Sequence, residues 1–316
     1  MAISKFSIRK IFTLGLVSLL VCGELLSNTR IGIATYAVPI TNGDTSPESS
    51  STSSTPAIMV SPADDTQFKF WVKYASAAYC NVEGWNCGVA CQGVTAQTRL
   101  LQYFDQTVNK AYVAANDQKK SIVVAFRGTA DIEGFMQDSQ FYLTDYPGIT
   151  GAKIHAGFLN TFQMINKNVT NFVKEIVPKY PGYNVILTGH SLGGAMAILQ
   201  LLEFVNIPGL SRDNLFVYTY GEPRIGNDVF AKYVENLRIN IFRVVNKNDL
   251  IPHLPPRAFT YIQHSPEFFV HSNNTMFECP VAEDINCSNS LTPNFDLIAH
   301  ANYFDTAFVI TCLAKK

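Results

Sequence analysis

Hydrophobic and polar positions follow two different periods along this chain, and the switches between them outline its elements. Phe68, Trp71, Val72, Ala75, Ala78 and Tyr79 recur at three- and four-residue intervals, which predicts an opening helix. Residues 122–126 are continuously apolar, as expected for a strand covered on both faces. Phe158, Phe162, Ile165, Val169, Phe172, Val173 and Ile176 trace one helical stripe, closed by Pro178 and Pro181. Beyond it, residues 184–188 read as a strand and 192–205 as a helix. Residues 215–220 then read as a strand, 229–237 as a helix and 241–245 as a strand. Strands alternating with helices predict an α/β fold with a mainly parallel sheet.

The start of the chain follows neither period. Lys5, Arg9 and Lys10 precede the apolar run 11–21, which Glu24 ends. That run is shorter than the roughly 20 apolar residues a bilayer span needs, and it fits a secretory signal peptide over residues 1–23. Cleavage after Gly23 or as late as Ala37 would suit the small residues there. Residues 24–60 include a Ser/Thr/Pro-rich tract that cannot bury enough apolar area to order itself, so a flexible pro-segment or linker is expected. One domain, residues 61–316, remains. No later stretch is long enough to cross a membrane, so a secreted, extracellular, monomeric protein is expected.

Composition narrows the partners. With 24 basic against 25 acidic residues the formal charge is −1, which supplies no footprint for a nucleic-acid backbone. Apolar residues reach 47 %, enough for a core, whereas charged residues at 16 % leave room for an apolar surface. Of seven cysteines, Cys22 falls in the signal region. The other six (Cys80, Cys87, Cys91, Cys279, Cys287 and Cys312) suggest disulfides, with 15 connectivities open. Zinc is the competing reading, but Cys87-x-x-x-Cys91 lacks a matched second pair, and no metal or cofactor is expected. N-x-S/T sequons at Asn168, Asn273 and Asn286 are candidate glycan sites on an exported chain.

The chemistry falls where a predicted strand meets a predicted helix. Gly189-His190-Ser191-Leu192-Gly193 matches G-x-S-x-G, in which a sharp turn leaves no space for side chains two positions from the serine. A serine nucleophile needs a base oriented by a third group. Asp249 lies just past the strand 241–245, at the carboxyl end where such groups collect. His253, His264, His271 and His300 follow; His253 is too close to Asp249 to bridge it to a serine, and sequence order does not choose among the rest.

Longer motifs do choose. Phe126-Arg-Gly-Thr129, Ile154-His-Ala-Gly-Phe158, Thr188-Gly-His-Ser-Leu-Gly-Gly194, Tyr220-Gly-Glu-Pro-Arg-Ile-Gly-Asn227, Asn248-Asp-Leu-Ile-Pro-His-Leu-Pro-Pro256 and Ala299-His-Ala-Asn-Tyr-Phe304 resemble those of the class 3 lipase family, the secreted filamentous-fungal triacylglycerol lipases. The resemblance runs from about residue 61 to the C-terminus and implies the α/β-hydrolase fold. It implies Ser191 as nucleophile, Asp249 as acid and His300 as base, with the Leu192 and Thr129 backbone amides as oxyanion donors. It also implies the pairs Cys80–Cys312, Cys87–Cys91 and Cys279–Cys287. Ile132, Phe135 and Met136 occupy the family's lid position, where an amphipathic helix would cover the pocket in water and open on a lipid–water interface. The expected substrate is an acylglycerol or another ester.

Phe135 stands where fungal lipases usually carry Trp. Residues 126–129, 138–144 and 221–224 also resemble the related feruloyl esterases, which makes such an esterase the first alternative. The second, from a different class, is a non-catalytic secreted lipid- or glycan-binding protein.

Overall fold

The runs read as strands lie side by side at the centre of one sheet. The computed structural model of the chain describes residues 56–106, 109–129, 141–292, 294–308 and 312. An edge strand β1 (Ile58–Met59) leads into helix α1 (Pro62–Ala77), followed by β2 (Thr98–Gln106), β3 (Asn109–Asn116) and β4 (Ser121–Phe126). After two short strands, β5 (Leu143–Asp145) and β6 (Lys153–His155), come α2 (Ala156–Gln163) and α3 (Asn166–Ile176). The alternating part continues with β7 (Asn184–His190), α4 (Leu192–Phe204), β8 (Leu215–Tyr220), β9 (Gly226–Asn227), α5 (Asp228–Asn236) and β10 (Asn240–Asn246). Strands β11 (Tyr261–Ile262), β12 (Glu267–Val270), β13 (Met276–Cys279), β14 (Asn302–Tyr303) and β15 (Thr306–Ala307) complete the described elements.

The main sheet has the order β1-β13-β12-β10-β8-β7-β4-β3-β2. Its central strands β12, β10, β8, β7 and β4 are parallel neighbours, flanked by antiparallel strands at both edges. This is an α/β-hydrolase arrangement. A second small sheet runs β11-β9-β6-β5.

Each central strand feeds two cores because successive side chains point to opposite faces. Ile122, Val124 and Phe126 of β4, Val185 and Leu187 of β7, and Leu215 and Val217 of β8 meet residues from α2 to α5. Val123, Ala125, Ile186, Tyr218 and Tyr220 meet α1 and its Phe68, Trp71, Val72 and Ala75. Being apolar on both faces, the strands could be read from sequence as continuous runs. Helix α4 is buried nearly all round, so it carries almost no polar face.

Two boundaries depart from the sequence reading. The single stripe 158–176 folds as two helices, because Ile165 leaves the helical region at φ −128° between α2 and α3. Ile165 is nevertheless buried, since both helices press on the same face of the sheet and the apolar stripe continues across the break. Ile58 and Met59, inside the expected flexible tract, pair antiparallel with Glu278 and Phe277 as an edge strand. Residues 1–55, with the expected signal peptide and most of that tract, lie outside the described residues.

Three disulfides close the chain: Cys80–Cys312 with Cα atoms 5.2 Å apart, Cys87–Cys91 and Cys279–Cys287. Pairing Cys87 with Cys91 removes both thiolates that a zinc site would have needed. No described helix is long and apolar enough to cross a membrane.

Candidate active site

Strand β7 delivers the G-x-S-x-G segment to the carboxyl edge of the parallel strands, where open α/β sheets gather reactive groups. Backbone passes backbone there with nothing between. A methyl group on Gly189 would lie 2.1 Å from the Gly193 carbonyl oxygen, and one on Gly193 would lie 2.2 Å from that of Phe126. Ser191 takes φ 58°, ψ −131°, a conformation L-residues avoid. It occupies the N-cap of α4, where a serine ordinarily bonds a first-turn amide. Its side chain makes no such cap, and Oγ has no hydrogen-bond partner among the described residues. The turn holds the hydroxyl in reserve.

Asp249 follows β10 and is fully buried. Its Oδ1 accepts the Ile251 N–H at 2.8 Å. Its Oδ2 accepts His300 Nδ1–H at 2.8 Å and the Tyr303 hydroxyl as well. Three donors offset the desolvation that an unpaired buried carboxylate would suffer. With the proton on Nδ1, as the carboxylate partner requires, His300 Nε2 is left with its lone pair and no partner among the described residues.

Ser191 joins this pair through β8. Its N–H donates to the Tyr220 carbonyl at 2.9 Å, and the next residue, Gly221, is in direct contact with the other two. A methyl group on Gly221 would lie 2.7 Å from the His300 ring and 2.9 Å from Asp249 Oδ2. One edge of the sheet therefore gathers Ser191, Asp249 and His300, with Ser191 Oγ and His300 Nε2 the atoms that lack partners.

The other three histidines are engaged elsewhere. His253 stacks on Phe295 at 3.9 Å, and burial pulls its pKa down to about 4. His264 Nε2 bonds the buried Glu222 carboxylate at 2.9 Å. His271 is exposed beside Ser272.

The segment carrying Thr129 runs directly along the elbow. A methyl group on Gly128 would lie 3.1 Å from Ser191 Cβ. The Leu192 amide opens α4, where the first N–H groups have no helical acceptor and the helix dipole favours negative charge. Three residues after Gly221 in the chain, Arg224 clamps two loops together. It bonds both oxygens of Glu283, at 2.6 and 2.7 Å, and the carbonyls of His253 and Pro255. Burial alone would raise the Glu283 carboxyl, but the Arg224 guanidinium holds it down to about 2.

Sequence reasoning gave Tyr303 no role, although it lies within the 299–304 motif, three residues after His300. It also gave His190 and Tyr79 no role. The expected lid residues Ile132, Phe135 and Met136 lie outside the described residues.

Comparison with known proteins fits this geometry. Residues 123–259 match the family model described as Lipase (class 3). A lipase from Rhizopus niveus is 35 % identical over 287 residues, covering 87 % of this chain and 73 % of that protein. The chain belongs to the class 3 lipase family. As a class 3 lipase it is a carboxylic ester hydrolase. The secreted mono- and diacylglycerol lipase 1 of Fusarium solani is 30 % identical, covering 81 % of this lipase and 80 % of that one. The structure of Rhizomucor miehei triacylglyceride lipase superposes with a TM-score of 0.77 at 31 % identity, covering 81 % of this chain and all of that chain. These relatives favour neither the feruloyl esterase nor the non-catalytic binding protein.

Proposed function

We propose that this class 3 lipase is secreted and hydrolyses acylglycerol esters through an acyl-enzyme, with Ser191 as nucleophile, His300 as base and Asp249 as its orienting carboxylate. The observation that carries the reading is the pair of unpartnered atoms, Ser191 Oγ and His300 Nε2, beside a His300 Nδ1 tied to a buried Asp249. In this mechanism His300 Nε2 takes the serine proton as Oγ attacks the ester carbonyl. Asp249 holds the imidazole in the useful tautomer and stabilises the imidazolium. The proton then passes to the leaving alcohol, and water repeats the sequence on the acyl-enzyme. The Leu192 and Thr129 backbone amides are the proposed oxyanion donors; loss of one such donor typically costs about 100- to 1000-fold in rate.

Action at a lipid–water interface is supported by large apolar side chains left exposed. Ile298, two residues before His300, is 83 % exposed; Tyr142 and Phe259 are 66 % and 53 % exposed. A lipid surface would cover what water does not favour. Ile132, Phe135 and Met136 are the proposed lid. Asn168, Asn273 and Asn286 are exposed, as acceptors of glycans on a secreted protein would be. The relatives' names divide between triacylglycerols and partial glycerides, so acylglycerol is the substrate class proposed.

The test is hydrolysis of tributyrin across its solubility limit, with methyl ferulate as a control and Ser191→Ala as the inactive variant. A steep rise above the limit, with a loss of at least about 10⁴-fold in the variant, is expected. Cleavage of ferulate alone, or activity surviving in Ser191→Ala, overturns the reading.

A further inference from the structure

His190 stands directly before Ser191, and the proposed mechanism gives its ring no task. The ring is 3 % exposed and lies between two others. Phe308 stacks on it at 3.6 Å and 9°, and the His300 ring lies 4.3 Å away at 33°. Both nitrogens are engaged: Nε2 is 2.8 Å from the His300 carbonyl oxygen, and Nδ1 is 2.7 Å from the Tyr79 hydroxyl.

Donor and acceptor roles follow from the partners. A carbonyl only accepts, so Nε2 carries the proton. Burial, reinforced by the neighbouring His300, pulls His190 well below the ordinary histidine pKa and keeps the ring neutral. Nδ1 must then accept, and the Tyr79 O–H donates to it. Burial likewise raises the Tyr79 pKa and keeps it a donor, while its oxygen takes the Gly128 N–H. The result is one directional chain: Gly128 N–H to Tyr79, Tyr79 to His190, and His190 to the His300 carbonyl. It links the segment that bears Thr129 with the residue that bears the proposed base, and it passes immediately behind Ser191.

We propose that His190 and Tyr79 are positioning residues, which fix the backbone of His300 relative to the Gly128–Thr129 segment and so hold base and oxyanion donors in register about Ser191. The inference rests on the roles proposed above for Ser191, His300 and Thr129. The reason such a chain matters is geometric. Asp249 fixes the His300 ring through Nδ1, and the Asn246 side chain at the end of β10 holds the carbonyls of Ala299 and Asn302, but on this short 3-10 turn, Ala299–Ala301, the carbonyl of His300 itself is held by His190. A displacement of about 1 Å at a reacting group can cost roughly 100-fold in rate. The bond to the His300 carbonyl ties that turn to the rigid end of β7. A neutral ring also suits turnover, because a second cation beside a His300 imidazolium would oppose proton transfer from Ser191.

Three substitutions separate the links. Glutamine can place an amide N–H near the position of Nε2 and keep the bond to His300. Asparagine can place an oxygen near Nδ1 and keep the bond from Tyr79, without reaching His300. Phenylalanine keeps a ring between Phe308 and His300 and loses both bonds. With p-nitrophenyl butyrate below its solubility limit, His190→Phe is expected to lower kcat by about 10- to 100-fold with KM within about twofold. His190→Gln is expected to restore most of that loss, and His190→Asn little of it. Tyr79→Phe, which removes one hydroxyl and no ring, is expected to lower kcat several-fold at unchanged KM, and it serves if His190→Phe does not fold. A kcat within twofold of the parent in His190→Phe, or in Tyr79→Phe if only that variant folds, overturns the proposal. So does a His190→Gln no better than His190→Asn. Ser191→Ala, assayed in parallel, keeps the two failures apart: if it stays active the reaction scheme falls, whereas if it is dead while the His190 series is normal only the positioning role falls.

Discussion

Tyr303 and His300 share one oxygen of Asp249: the phenol and the imidazole Nδ1–H both donate to Oδ2. Tyr303 is itself buried, which raises its pKa well above the ordinary value and keeps it a donor. The phenol draws charge from the carboxylate that stabilises the His300 imidazolium in the proposed mechanism. Removing it in Tyr303→Phe should leave that charge to His300 alone, so the acid limb of the kcat/KM–pH profile should move to higher pH. The same change deprives the Asn246 amide of an acceptor, so a loss of about 1–3 kcal/mol in stability is expected as well. A profile measured on a soluble ester, beside urea unfolding, checks both; an unmoved acid limb would show that the phenol only fills space.

The elbow tolerates no side chain at its two glycines. Gly189→Ala and Gly193→Ala would each force a methyl group into overlap with a carbonyl oxygen, one held by α4 and the other by β4. Both variants are expected to lose soluble expression or at least about 100-fold in activity. Circular dichroism beside an ester assay distinguishes these outcomes, and a fully active alanine variant would refute the packing argument.

Acid should weaken the fold in two stages. Burial holds His155 and His253 near a pKa of about 4, below the ordinary 6.5. Their unfolded forms therefore take up protons first, and stability is lost as pH falls from about 6.5 to 4, by roughly 3 kcal/mol for each. Glu283, held at about 2 against an ordinary 4.5, contributes stability that is present above about 4.5 and lost as pH falls toward 2. Thermal unfolding from pH 7 to 3 should show a falling Tm, and the upper stage should shrink in His253→Phe. A flat Tm between pH 6.5 and 4 would contradict the buried neutral histidines.

Arg224 and Glu283 are almost fully buried, with side chains 4 % and 9 % exposed. Removing only the cation in Arg224→Met strands the carboxylate, and a loss of about 3–5 kcal/mol is expected. Arg224→Met combined with Glu283→Gln should recover part of it. A double variant no more stable than the single one, by denaturant titration, would argue that the guanidinium acts mainly through the His253 and Pro255 carbonyls.

The Cys80–Cys312 bond joins residues 232 positions apart. In the chain-entropy model it stabilises by about 5 kcal/mol, against about 2 for Cys87–Cys91. Cys80→Ser is therefore expected to lower Tm more than Cys87→Ser, and the reverse order would discount the entropic account.

The central strands and the helices between them could be read from the sequence because burial on both faces leaves a local mark. Residues 122–126 and 185–187 are apolar without interruption for that reason alone. The break at Ile165 left no such mark, because a kink that returns both helices to the same core keeps the apolar spacing intact. Edge strands such as β1 were also hidden, since one exposed pair of residues has no period to read.

In the site, the glycines around Ser191 and the acid after β10 could be located from sequence, as steric and topological demands fall on residues near one another in the chain. By itself the sequence determined the fold class, the strained turn and the shortlist of acids and bases. The family motifs pointed to His300, but only the tertiary structure brought it onto Asp249, and it alone set Tyr303 on Asp249, His190 on His300 and Tyr79 on His190. Hydrogen bonds between side chains act over about 3 Å in space, and residues 51 to 111 positions apart reach that distance here only once the sheet has assembled.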